Sequence, residues 1–235
     1  LWQPLIDHWR GRRELWCPDL PGFGRQSRPR DLQPTLASYG RWLADAVRRS
    51  AAGRPVVLIG HSLGGSIALH AAQPLSGQLI GVVQIAAGGG VYQPRAFARV
   101  RQGGAAFLRW RPGWLADLPG LEAIRSPLAA DLHAARSLLA CSTNRGAVRQ
   151  LPQIASRLQV PSLWIAGSRD TVMQPRYVRH LAGYSPHHRL ELLDGAGHLP
   201  MRQQPAALAA CIDAWLEQEV LPASSAADRA MEAAG

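Results

Sequence analysis

One stretch constrains this chain more than any other: Val56-Val57-Leu58-Ile59-Gly60-His61-Ser62-Leu63-Gly64-Gly65. Val56 to Ile59 are β-branched or aliphatic and follow Pro55. That is the pattern of a strand buried within a parallel sheet. Ser66 to Ala72 then set small and apolar residues at helical spacing. Between strand and helix sits Gly-x-Ser-x-Gly. A serine on so tight a turn projects its hydroxyl above the edge of the sheet. Gly60 and Gly64, two before and two after Ser62, are expected to be glycine because a Cβ would crowd that turn. The backbone N–H of Leu63 falls at a helix N-terminus, where it can stabilise an oxyanion. His61 reads as the lining of a pocket rather than as a base.

A serine hydroxyl is a weak nucleophile at neutral pH and needs a base, and the base needs an orienting acid. Two later strands supply candidates. Val160-Pro161-Ser162-Leu163-Trp164-Ile165-Ala166-Gly167 is apolar and runs into Ser168-Arg169-Asp170. Leu190-Glu191-Leu192-Leu193 runs into Asp194-Gly195-Ala196-Gly197-His198. In a parallel sheet, all three loops emerge at the same edge. His198 would accept the Ser62 proton, and Asp170 would hold the imidazole tautomer and stabilise its cation. Asp194 competes for that role, but its place four residues before His198 suits a turn better.

Gly60-His61-Ser62-Leu63-Gly64-Gly65 resembles the nucleophile elbow of the α/β-hydrolase superfamily. Gly167 to Asp170 and Gly195 to His198 resemble the family's acid and base motifs, in the family's order. Asp19-Leu20-Pro21-Gly22-Phe23-Gly24-Arg25-Gln26-Ser27 resembles its Asp-x-x-Gly-x-Gly-x-Ser loop, with the serine one position later. The resemblance covers nearly the whole chain except the tail. It implies an α/β fold, a mostly parallel sheet flanked by helices, with a helical cap inserted into it. It also implies an upstream strand ending in His-Gly, whose loop supplies the second oxyanion donor. The sequence starts too late to contain that strand. The first strands are therefore expected to be missing, with an exposed apolar edge beside Val56–Ile59, and Leu63 is the one oxyanion donor visible.

In chain order, Leu1–Arg10 reads as a short amphipathic helix with Trp2, Leu5, Ile6 and Trp9 on one face. Glu14–Pro18 is a strand candidate. Leu36–Ser50 is a helix, with Leu36, Tyr39, Leu43, Ala46 and Val47 at spacings of three and four. Leu79–Ile85 is another buried strand, and Gln204–Val220 is a closing amphipathic helix. The expected organisation is a first part of the core over 1–90, a cap over 91–150, the rest of the core over 151–221 and a disordered tail over 222–235. The cap carries Phe107, Trp110 and Trp114, which with His61 and Leu199 are the candidate pocket residues.

Composition narrows the partners. The net charge is +10, and all 26 basic residues are arginine. They are scattered without a nucleic-acid-binding motif, so no nucleic acid is expected. No run is long and apolar enough to span a membrane, and a cytoplasmic location is expected. The three cysteines match neither a disulfide framework nor a zinc spacing and read as buried, reduced thiols. No cofactor motif and no metal cluster are visible. Nine arginines against three acids give 91–150 a formal excess of +6. Solvated helix faces are the default reading of such charge. The sharper one is a surface that meets an anionic partner.

The resemblance narrows the chemistry to a cap-bearing serine carboxylesterase that acts on a small or acyl-chain ester through an acyl-enzyme. The Trp/Phe/Leu-rich cap resembles that of the pimeloyl-acyl-carrier-protein methyl ester esterases, and an acyl carrier protein is then the anionic partner implied. C–C bond hydrolase, lactonase and haloperoxidase-like chemistry on the same fold remain open. So does a non-catalytic protein that keeps the fold.

Overall fold

The computed structural model describes residues 1–87, 101–106, 132–142 and 144–222, with 98 and 109 as single positions. Phe107, Trp110, Trp114 and all of the expected tail after Pro222, which is itself helical, lie outside the described residues. Helix α1 spans Gln3–Trp9, α2 Leu36–Ala51, strand β1 Val56–His61, α3 Leu63–Ala72 and β2 Leu79–Ile85. After the segment that follows β2 come α4, Leu132–Ser142, and α5, Arg145–Ala155. The chain then runs through β3, Ser162–Gly167, α6, Pro175–Ala182, β4, His188–Leu193, the short α7, Pro200–Gln203, and α8, Pro205–Trp215. A π-helical turn over Leu216–Val220 extends α8. Helix α5 passes through position 150, where the sequence places the end of the cap.

The four strands pair in sequence order, and every pair is parallel. Parallel neighbours need a crossover, and helices supply it, so both faces of the sheet are covered. Alternation along β3 shows the two layers. Trp164 and Ala166 point into a cluster with Ala44 and Val47 of α2, Ala68 and Ala71 of α3, Leu151 of α5 and Val178 of α6. Leu163 and Ile165 point the other way, onto Leu5 and Trp9 of α1 and Leu208, Ile212 and Trp215 of α8. This period of two is the strand's own geometry. Trp164 is fully buried, and its indole N–H donates to Ser162 Oγ at 3.0 Å, which satisfies the one polar atom it carries inward. Truncation of a tryptophan packed this way costs about 3–5 kcal/mol.

Helix α1 docks through one carboxylate. Asp213 of α8 accepts from Trp9 Nε1 at 2.9 Å and from Arg13 Nη2 at 2.9 Å. Burial alone would raise the pKa of Asp213. The bonds from Arg13, Trp9 and His8 outweigh it and hold the group below its ordinary range.

Two sequence expectations need correction. Glu14–Pro18 is not a strand: it forms no ladder, because the described strands pair only with one another and β1 stands at the edge of the sheet. Strand geometry without a partner leaves backbone donors to water. Trp16 is accordingly exposed, and Arg54 at the foot of β1 pairs with Glu14. Among the cysteines, Cys17 is exposed while Cys141 and Cys211 are half-buried, so none is a fully buried thiol. Burial of Cys211 nevertheless pushes its thiol up to about 11.

Candidate active site

Because all four strands run the same way, the loops after β1, β3 and β4 leave the sheet at one edge. Ser62 lies between β1 and α3 with φ 51° and ψ −119°, a conformation in which a side chain is strained. Its N–H donates to Ile85 O of β2 at 2.9 Å, and its carbonyl accepts from Gly65 N at 3.0 Å. The turn is thus locked from both sides. Leu63 opens α3, so its N–H is among the first-turn donors that no helical carbonyl satisfies. Its side chain packs on the cluster of Leu36, Tyr39, Ile67 and Leu138, which leaves the backbone as its chemical contribution.

The glycine requirement differs in one position from the expected pair. A Cβ on Gly60 would stand 2.5 Å from Gly65 Cα, so Gly60 is indispensable. A Cβ on Gly64 would meet no atom of the described residues within 4 Å. The crowded partner is Gly65, where a Cβ would lie 2.3 Å from Ala87 Cβ and 2.5 Å from Gln84 Oε1. The helix start presses on the end of β2, one residue later than spacing alone suggests.

Three side chains from these loops meet. His198 Nε2 is 3.2 Å from Ser62 Oγ, and His198 Nδ1 is 2.8 Å from Asp170 Oδ2. A carboxylate only accepts, so Nδ1 carries the hydrogen and Nε2 is left with a lone pair facing the serine hydroxyl. The Asp170 side chain is fully buried. Its second oxygen accepts from Val172 N and Met173 N, both at 2.8 Å. Those two bonds fix the carboxylate before it meets the imidazole. Asp194 turns elsewhere: Oδ1 accepts from Ser168 Oγ at 3.0 Å and its carbonyl from Gln204 Nε2 at 2.7 Å. Gly167 permits the approach of the base loop, since a Cβ there would lie 2.4 Å from Ala196 O.

His61, the last residue of β1, does more than line a space. Its Nε2 is 2.7 Å from the backbone carbonyl of His198, and the two rings are 4.9 Å apart between centroids. A carbonyl only accepts, so His61 Nε2 carries a hydrogen. Burial, and then the neighbouring His198, lower the His61 pKa to about 4. The sequence offered no sign of this bond, because it joins positions 137 residues apart. Leu199 packs against the apolar cluster beneath α1 and α8. A shallow cleft of about 440 Å³ adjoins the acid loop, lined by Ser168 to Thr171 and Gln174 to Arg176. Neither Ser62 nor His198 lines it. Five of the nine arginines of segment 91–150 fall among the described residues, and Arg101, Arg109, Arg136, Arg145 and Arg149 are all exposed. Among the described residues no cluster of His, Cys, Asp and Glu could hold a metal ion, and no helix is long and apolar enough to cross a membrane.

Residues 1–211 match the model of the alpha/beta hydrolase family. The chain is 32% identical over 224 residues to a pimeloyl-[acyl-carrier protein] methyl ester esterase of Xanthomonas oryzae pv. oryzae, covering 84% of this chain and 82% of that protein. Among solved structures, it is similar to a thermophilic esterase from Thermogutta terrifontis, with TM-score 0.70 and 22% identity over 92% of this chain and 84% of that one. It is also similar to the 2-hydroxy-6-oxo-6-phenylhexa-2,4-dienoate hydrolase of Rhodococcus, with TM-score 0.63 and 19% identity over 83% of this chain and 76% of that one. At those identities the two structures speak for the fold alone.

Proposed function

This chain belongs to the alpha/beta hydrolase family, and on that premise we propose that it is a serine esterase working through an acyl-enzyme on Ser62. The observation that carries the reading is the hydrogen-bonded chain from Ser62 Oγ through His198 to the buried Asp170 carboxylate. A strained residue persists only where its surroundings over-determine it. Strain at the very serine that faces an oriented base is better explained by catalysis than by a binding role.

The steps follow from the tautomer. Ser62 Oγ attacks the ester carbonyl while His198 Nε2 takes the hydroxyl proton. Asp170 stabilises the imidazolium that forms. The carbonyl oxygen becomes an oxyanion within reach of the Leu63 N–H. His198 returns its proton to the departing alkoxide, which leaves as an alcohol. Water then enters, gives a proton to His198 and attacks the acyl group. Collapse of the second tetrahedral intermediate releases the acid and restores Ser62. One ester and one water give one acid and one alcohol.

The substrate class we propose is a methyl ester of a dicarboxylate chain carried by an acyl carrier protein. The likeness to the pimeloyl-[acyl-carrier protein] methyl ester esterase of Xanthomonas oryzae supports it. So does charge: Arg145 and Arg149 are exposed four residues apart on α5, hence on one face, and Arg136 is exposed on the adjacent α4. Guanidinium groups pair bidentately with carboxylates and phosphates, which an acidic carrier presents. The test is steady-state hydrolysis of a pimeloyl methyl ester loaded on a carrier, followed as release of methanol. The parent should turn it over and Ser62→Ala should not. Equal turnover by the two would refute the mechanism, and turnover of free esters alone would refute the carrier.

A further inference from the structure

The contact between His61 and the His198 backbone has no part in the proton transfers above, yet it joins the turn that carries the nucleophile to the loop that carries the base. We propose that His61 is a positioning residue, which by donating its Nε2–H to the His198 carbonyl holds the base in register with Ser62. The proposal rests on the serine esterase reading and adds a residue to it.

The geometry explains why a clamp is useful. His198 sits on a loop that begins with the left-handed Gly195, at φ 73°, and ends at the N-cap of α7. The loop is pinned on its near side, where Gly197 N donates to Gln203 Oε1 at 2.7 Å and Ala196 O accepts from Arg169 N at 2.8 Å. Neither bond acts on the peptide that follows the His198 Cα. The His61 imidazole supplies that restraint at 2.7 Å. His61 comes from the end of β1, whose register with β2 is fixed through His61↔Ile85. A rigid strand end therefore sets the height of the base above the nucleophile, one residue away in sequence. A side chain held this way can matter because a misplacement of about 1 Å can cost about 10²-fold in rate.

Proton transfer to His198 favours a neutral ring at position 61. His198 becomes cationic when it takes the Ser62 proton, and a charged His61 with ring centroids 4.9 Å apart would oppose that step. The ionisable groups that act on His61 are His198 and Asp170. Burial and the His198 ring keep it neutral, and the bond to the His198 carbonyl and then Asp170 offset them only in part.

The test compares two substitutions. His61→Phe keeps a ring and removes the donor, whereas His61→Gln keeps an N–H at a similar reach. The readouts are kcat and KM for a p-nitrophenyl ester and the rate at which a fluorophosphonate labels Ser62. We expect His61→Gln to stay within about threefold of the parent, and His61→Phe to lose about ten- to a hundredfold in kcat and labelling rate with KM within about twofold. His61→Leu provides the same comparison if His61→Phe does not fold. Loss of KM rather than kcat in the apolar variants would make His61 a wall of the pocket and overturn the proposal. A labelled parent whose apolar variants are labelled equally fast would overturn it alone. A parent that the probe does not label would overturn the serine esterase reading, and this inference with it.

Discussion

Asp170 and His198 meet across a 2.8 Å hydrogen bond although they leave different strands, β3 and β4, and are 28 residues apart. What brings them together is the parallel order of the sheet, which sends both loops to one edge, and Gly167, which lets the second loop cross close over the first. The bond fixes the imidazole tautomer. Asp170→Asn keeps the shape but offers an amide, so His198 can turn its lone pair the wrong way. A fall in kcat on the order of 10³ to 10⁴ is expected, with KM little changed. Asp194→Asn should remain within about threefold, because its carboxylate holds Ser168 rather than the base. Steady-state kinetics on both variants settle which acid acts.

The strain at Ser62 gives a stability prediction of opposite sign to activity. Ser62→Ala keeps a Cβ in a backbone conformation of φ 51° and so keeps the strain. Ser62→Gly removes it. Both variants should lose turnover, but Ser62→Gly should be the more stable of the two by ~1 kcal/mol in urea unfolding. Equal midpoints would mean that the turn is relaxed.

His61 should leave a mark on acid stability. Its folded pKa of about 4 lies below the ordinary value of 6.5, because the largely covered ring resists charging, the more so beside His198. Between those two values the unfolded chain binds a proton that the folded chain refuses. This contribution to stability is therefore complete above pH 6.5 and declines as pH falls towards 4. His61→Gln lacks the group. The urea midpoint of the parent should accordingly fall faster than that of His61→Gln from about pH 7 to about pH 4.5. Parallel profiles would contradict the neutral ring.

The exposed arginines make a separate prediction. Rim charges mainly raise association rates and are screened by salt. Hydrolysis of a carrier-bound ester should lose kcat/KM several-fold between low and physiological salt, while a neutral p-nitrophenyl ester responds little. Arg145→Glu and Arg149→Glu should show the same selectivity. Equal responses of the two substrates would return these residues to the role of a solvated face.

The four described strands and helices α1, α2, α3 and α8 were legible because each is a local pattern. β1 is a β-branched run after a proline, α2 a three-four spacing, and β3 alternates between two apolar layers. The three residues of the candidate site that meet, Ser62, Asp170 and His198, were legible for the same reason, each standing after a strand end with its own short motif. Other features depended on what lies across the fold. Glu14–Pro18 has strand composition but no partner, and a ladder is a property of pairs. Gly65 rather than Gly64 is crowded because Gln84 and Ala87 of a later segment press on it. The His61 bond joins the end of β1 to the base loop, which no spacing connects, so side-chain chemistry alone reads His61 as a pocket wall.

The central claim is that Ser62 is a nucleophile activated by His198. Incubation of the folded chain with a fluorophosphonate, followed by digestion and mass spectrometry, tests it directly. The expected result is one adduct per chain, on the peptide that carries Ser62, slowed strongly in His198→Ala and absent in Ser62→Ala. No adduct on Ser62, while the same preparation still hydrolyses esters, would contradict it.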